Sequence, residues 1–203
     1  MSKRLLASSI LVGMLATGIS FGEHTYASEN TALVNDTHHE MASEQIVKMH
    51  EGETPISVSV DEQTGITIEI YEVKETPFQT FASGWQTIGS DSFTLYNDNK
   101  FRTNGTIVKS GGGDFGVRVS AHTSSSITGS SPLMTFQLFE DDPSGDEFVG
   151  QASFSNKSGS SYDVVFRSIG SYVDGTDGKA EFYVKHAENY KLSSGSLRVT
   201  YID

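Results

Sequence analysis

From residue 66 onward the chain repeats one device, an apolar residue at every second position with polar residues between. Ile66, Ile68 and Ile70 share one side, and Thr67, Glu69 and Tyr71 the other. Phe115, Val117, Val119 and Ala121 alternate with Gly116, Arg118 and Ser120 in the same way. So do Ala180, Phe182 and Val184 with Glu181, Tyr183 and Lys185, and Leu197, Val199 and Tyr201 with Arg198, Thr200 and Ile202. Successive side chains of a strand point to opposite faces, so each run is a ribbon with one apolar and one wet face. Such ribbons belong to antiparallel sheets packed on one side. Turn-forming clusters punctuate them at 61–65, 97–100, 110–114, 155–161, 174–178 and 193–195. The pattern predicts an all-β fold, an antiparallel β-sandwich of the jelly-roll or Ig-like kind, with about ten strands in residues 56–203.

Two stretches depart from simple alternation. Residues 133–139 and 162–166 carry large apolar groups at both parities and read as central strands with little solvent on either face. The expected core between the sheets is Met134, Phe136, Leu138, Val164, Phe166, Phe182, Val184, Leu197 and Val199. Asn104-Gly105, flanked by 101–103 and 106–108, predicts a tight hairpin because both residues tolerate positive φ.

The first 55 residues are of another kind. Lys3 and Arg4 precede an apolar run over 5–22, and Thr25-Tyr26-Ala27 places small residues where a signal peptidase cuts. Residues 1–27 are therefore expected to be a cleaved signal peptide, with no other segment apolar enough to span a bilayer. Residues 28–55 contain no aromatic side chain and hold six carboxylates (Glu29, Asp36, Glu40, Glu44, Glu51, Glu53) against Lys48 alone. They read as a disordered acidic leader containing His and Met, because so little apolar surface cannot offset the entropy of ordering. His38, His39, Glu40, Met41, Met49 and His50 are ligand types suited to copper or zinc, but a chain without preorganised ligands binds metal weakly.

Charge and composition exclude several functions. With 26 acidic and 14 basic residues, the chain carries −12, which disfavours a phosphate backbone or an anionic lipid surface as partner. The absence of cysteine removes disulfides, thiolate nucleophiles and Cys-type zinc sites. Export without cysteine, with a Ser/Thr/Asn/Gly-rich chain, suggests a Gram-positive bacterial source. The domain at 56–203 lacks G-x-S-x-G, H-E-x-x-H and G-x-x-x-x-G-K-[ST]. His122 and His186 remain as general-base candidates after the leader, and no spacing ties either to a nucleophile. No catalytic residue is assigned.

The acidic loops carry the metal expectation. Glu140, Asp141, Asp142, Asp146 and Glu147 put five carboxylates into eight residues directly after a strand, and Asp174 and Asp177 form a second acidic turn. Hard oxygen ligands on a tight Gly-containing loop suit calcium, which becomes the expected cofactor, with Asp91 or Asp98 as further ligands if the tips converge. Solvated hairpin tips are the plainer reading. Trp85, the only tryptophan, is either packed at a sheet edge or placed on a binding surface. Residues 136–150 resemble the third calcium loop of the calcium-dependent lipid-binding sandwich domains found in protein kinase C and synaptotagmin. Residues 88–93 resemble their Gly-x-Ser-Asp-Pro-Tyr segment. The resemblance implies calcium-triggered membrane binding, and it departs from the family where Glu140 replaces an aspartate and Ser92 a proline.

Together these readings predict a secreted, non-catalytic extracellular or cell-surface binding module that uses loop tips on a rigid frame. Its expected partner is an extracellular glycan, cell-wall polymer or protein. The alternatives are a structural protein that assembles in a matrix or surface layer through an unpaired strand edge, and a secreted hydrolase, toxin or inhibitor.

Overall fold

The computed structural model describes residues 48–73, 84–96, 98–121, 133–157, 159–189 and 195–203. All of them belong to the unit Glu44–Asp203. The signal-like segment, residues 28–47 of the leader and His122 lie outside the described residues.

The alternating runs form strands where expected. Among the described residues there are ten: β1 (Ser57–Val60), β2 (Thr67–Val73), β3 (Thr87–Leu95), β4 (Val108–Ser110), β5 (Phe115–Val119), β6 (Leu133–Glu140), β7 (Glu147–Ser155), β8 (Ser161–Phe166), β9 (Ala180–Asn189) and β10 (Gly195–Ile202). The only helical element among them is a 3₁₀ turn, Ile169–Tyr172. Two antiparallel sheets result, one of six strands in the order β1-β2-β8-β5-β10-β3 and one of four in the order β4-β9-β6-β7. The last eight strands are nested. β6 pairs with β7, β5 with β8, β4 with β9 and β3 with β10, as if one long hairpin had been rolled up from its ends.

The inner faces of both sheets share one core. Ile68, Ile70, Phe93, Phe115, Val117, Val164 and Phe166 from the larger sheet meet Met134, Phe136, Leu138, Val149, Phe182 and Val184 from the smaller. All nine residues expected between the sheets are at most 1 % exposed. Full burial of such side chains contributes roughly 1.5–3 kcal/mol each before entropy is counted.

Three expectations are corrected. β8 is buried on both faces, but β6 is not, since Leu133 is 41 % exposed and its outward row faces solvent. The difference is one of cover, because Met49, Tyr71 and Ile202 pack over the outward Val165 of β8. The source of that cover is the second correction, for residues 48–53, assigned by composition to the leader, lie against the six-stranded sheet and bury Met49. Third, Asn104-Gly105 does not close a hairpin. Its two flanks both pair with β9, through Arg102 with His186 and through Val108 with Phe182. The turn is thus an interruption in one edge strand, with Gly105 at φ 75 and Asn104 donating to the Ser92 carbonyl.

A buried acid–imidazole pair sits inside this frame. His186 and Glu188 are 2 % and 1 % exposed, with Nε2 3.0 Å from the carboxylate, and His186 packs against Phe93 and Phe136. The Glu188 carboxylate also accepts the Tyr96 backbone N–H. His186, a candidate base by sequence, is a core group held there by aromatic contacts. Replacing Glu188 with Ala strips the Tyr96 backbone N–H of its acceptor, and urea unfolding should show a loss of about 1–3 kcal/mol.

Candidate functional site

The outward face of the four-stranded sheet carries aromatic and amide side chains rather than charges alone. Gln137 of β6 stands opposite Gln151 of β7, and its Nε2 donates to Gln151 Oε1 at 2.8 Å. Two residues on, the register shifts, so that Leu138 pairs with Gly150 but Phe139 with Phe148. The extra residue is Val149, which this bulge turns fully into the core. Phe148 is thereby brought beside Phe139, with ring centroids 5.5 Å apart and the planes at 67°. Tyr183 stacks on the other side of Phe139 at 5.5 Å, and Lys185 Nζ lies 3.9 Å from the Phe139 ring centroid.

The β1–β2 turn forms a wall along this face. Asp61 Oδ1 accepts the backbone N–H groups of Gln63 and Thr64, which shapes the turn. Asp61 Oδ2 accepts the Gln151 N–H, and Thr64 Oγ1 donates to the Val149 carbonyl at 2.8 Å. Those β7 groups belong to the sheet's outer strand, so the turn satisfies an edge that would otherwise be open. Between turn and sheet runs an open groove of about 490 Å³, lined by Asp61, Glu62, Gln63, Gln137, Phe139, Phe148 and Gln151. Flat apolar rings beside side chains that donate and accept in pairs give it both contact area and orientation.

The acidic residues divide. Glu140, at the end of β6, is only 2 % exposed. Burial, followed by the nearby charges of Asp174, Asp142 and Glu181, pushes its carboxyl up to about 7 against one favourable backbone hydrogen bond. Asp142 is held below its usual range, chiefly by the Ser144 backbone N–H. Glu140, Asp142 and Asp174 therefore share one end of the fold. Asp146 instead accepts the Tyr183 hydroxyl at 2.5 Å, and Asp177 pairs with Lys109 at 2.7 Å. Glu147 begins β7 exposed, and Asp141 gives its backbone N–H to the Glu181 carbonyl. Asp91 lies in mid-β3 taking the Tyr201 and Thr106 hydroxyls, and Asp98 pairs with Arg102. Among the described residues, no three His, Asp or Glu side chains are placed to hold a metal ion. Trp85 is half-buried against Met49, Tyr71, Val165 and Ile202, on the other sheet from the groove.

Sequence reasoning missed the groove. Gln137 and Phe139 share a parity that the apolar density of β6 assigned to the interior. The bulge that aligns Phe148 has no signal in the local pattern.

Two comparisons bear on this geometry. A family described as the YndA coiled coil domain matches residues 87–201. The chain is similar to the protein named "Uncharacterized protein YndA" of Bacillus subtilis (strain 168), 33 % identical over 124 residues, covering 60 % of this chain and 76 % of that relative. No solved structure matches. The matched span runs from the first residue of β3 to the penultimate residue of β10, which is the nested eight-strand unit. Its described residues are strands, turns and one 3₁₀ turn, with no α-helix among them. Four groove residues, Gln137, Phe139, Phe148 and Gln151, fall within it, whereas the Asp61 wall does not.

Glu140 supplies a pH test. Its folded pKa lies above the unfolded value, so its contribution favours folding below about 4.5 and is lost as pH rises through about 7. The Glu140→Gln variant should match the parent near pH 4.5 and exceed it by roughly 2 kcal/mol at pH 8.5, measured by urea melts across that range.

Proposed function

The chain belongs to the YndA coiled coil domain family, whose matched span is the rolled eight-strand unit, and we propose, from the groove rather than from that membership, that it is a secreted, non-catalytic glycan-binding module of the bacterial cell surface. The nested pairing of β3 with β10, β4 with β9, β5 with β8 and β6 with β7 supports a β-sandwich of the jelly-roll kind beneath that function. The observation that carries the proposal is the groove, in which Phe139 and Phe148 lie beside Gln137, Gln151 and the Asp61 turn. A pyranose ring has an apolar C–H face and an equatorial belt of hydroxyls. The Phe148 ring suits the first, backed by Phe139, whose own ring carries Tyr183 and Lys185, and the amides and carboxylates suit the second. Asp61 and Glu62, in a chain of −12, favour a neutral or amino-sugar polymer over an anionic one.

Affinity electrophoresis through neutral, amino-sugar and anionic polysaccharides tests this. The protein should be retarded by at least one of the first two classes. Phe139→Ala should weaken that retardation about tenfold, ~1.4 kcal/mol, with unchanged circular dichroism. Equal mobility in every gel rejects the proposal.

Calcium is proposed as a stabilising ion on the ground of charge, since the charges of Asp174, Asp142 and Glu181 raise the Glu140 carboxyl after burial does; no set of three ligands is placed for it among the described residues. A melting midpoint raised by millimolar calcium and restored by chelator is the expected result, and no shift removes this element.

A second reading, assembly into a surface layer, is favoured by β1. Ile56, Val58 and Val60 are more than half exposed along the outer strand of the six-stranded sheet. Concentration-dependent fibres or films, abolished by Val58→Lys, would support it over the glycan reading.

A further inference from the structure

Residues 48–53 meet the six-stranded sheet through contacts that the groove does not use. Met49 is seated over Gly116 of β5. A Cβ there would fall 2.5 Å from Met49 Cε and 2.9 Å from Sδ, so the seat exists because residue 116 has no side chain. Tyr71, Val165 and Ile202 close around the Met49 side chain, and Trp85 packs at the margin. The Met49 carbonyl accepts from Arg167 Nη2 at 2.8 Å, and the same guanidinium holds Glu69 and Asp114.

His50 makes the second attachment. Its ring stacks on Tyr71 with centroids 4.1 Å apart and planes at 12°. Nδ1 lies 2.9 Å from Glu53 Oε2 and Nε2 lies 2.8 Å from Asp163 Oδ2. An ionised carboxylate only accepts, so both bonds form together only when both ring nitrogens carry hydrogen. The titratable groups against the ring are Glu53 on its own segment, Tyr71 on β2 and Asp163 on β8, and Glu69 on β2 accepts the Tyr71 hydroxyl. Arg118 on β5 and Arg167 after β8 are the cations bound to these carboxylates. Asp163 is 1 % exposed and shared between Arg118 and His50. His50 also sits at φ 58, a conformation that a side-chain-bearing residue keeps only when its surroundings hold it.

We infer that residues 48–53 are a proton-held clasp, closed on the outer face of the six-stranded sheet while His50 is an imidazolium and loosened when it loses a proton. Loss of either N–H leaves a nitrogen lone pair against a carboxylate, and one of the two charge-assisted bonds becomes repulsive. Burial pulls the His50 pKa down, but the bonds to Asp163 and Glu53 outweigh it and the net direction is upward. A folded pKa above the unfolded value contributes stability below about 6.5 that is lost as pH rises through the folded value. Opening uncovers Tyr71, Val165 and Ile202. The clasp precedes the family-matched span and stands independently of the glycan reading.

Trp85, the only tryptophan, reports on the clasp because it touches the Met49 cluster. In the full chain, its emission should titrate once above pH 6.5. That step should vanish in His50→Gln and move to lower pH in Glu53→Gln. Over the same range, the protection factor at 49–53, taken against the base-catalysed intrinsic rate, should fall while that of β6 holds. A wild-type emission flat from pH 5 to 9, a step retained in His50→Gln, or an unmoved midpoint in Glu53→Gln overturns the inference. So does a protection factor at 49–53 that is independent of pH.

Discussion

The burial of two facing rows of apolar side chains, one from each sheet, is what every other feature presupposes. Phe136, Leu138 and Phe182 on one side and Val164, Phe166 and Val117 on the other are almost completely withdrawn from water. Close-packed interiors tolerate little displacement, so the outward residues of the same strands inherit fixed positions. Gln137 faces Gln151 because Phe136 and Leu138 on either side of it are locked inward. The bulge at Val149 satisfies the interior, and its by-product is the alignment of Phe148 with Phe139.

The two sheets treat their outer faces differently. The four-stranded sheet leaves aromatic rings and amides open beside the Asp61 turn. The six-stranded sheet has part of its outer face covered by a segment of its own chain, held by one apolar seat and a set of paired charges. Buried ion pairs of this sort contribute little net stability compared with apolar substitutes, and they define register and orientation instead. A short segment with a single apolar anchor needs that definition, since Met49 alone fixes neither direction nor depth.

Much of the frame was legible in the sequence. Period-two alternation located the strands around Ile68, Val117, Phe182 and Val199, and large apolar side chains identified the core correctly. What resisted was non-local. Residues 48–53 look like leader by composition because one methionine and one histidine carry their contacts, and composition averages over both. Asn104-Gly105 has the local chemistry of a hairpin, but its flanks found a better partner in β9. The groove joins residues about 75–90 positions apart, from Asp61 to Gln137 and Gln151, and only the sheet order brings them together.

The rolled arrangement also fixes what residues 195–203 do. β10 lies between β5 and β3, so the six-stranded sheet is continuous only once residues 195–202 are in place. Asp203 then fastens this strand, exchanging backbone bonds with Gln86 and taking the Ser110 hydroxyl and the Gly111 N–H on its side chain. β3 reaches the rest of this sheet only through β10, so without residues 195–202 a strand-wide slot lined by Phe93, Val117 and Val119 would separate β3 from β5. One strand thus decides whether the larger layer is a single sheet or two pieces.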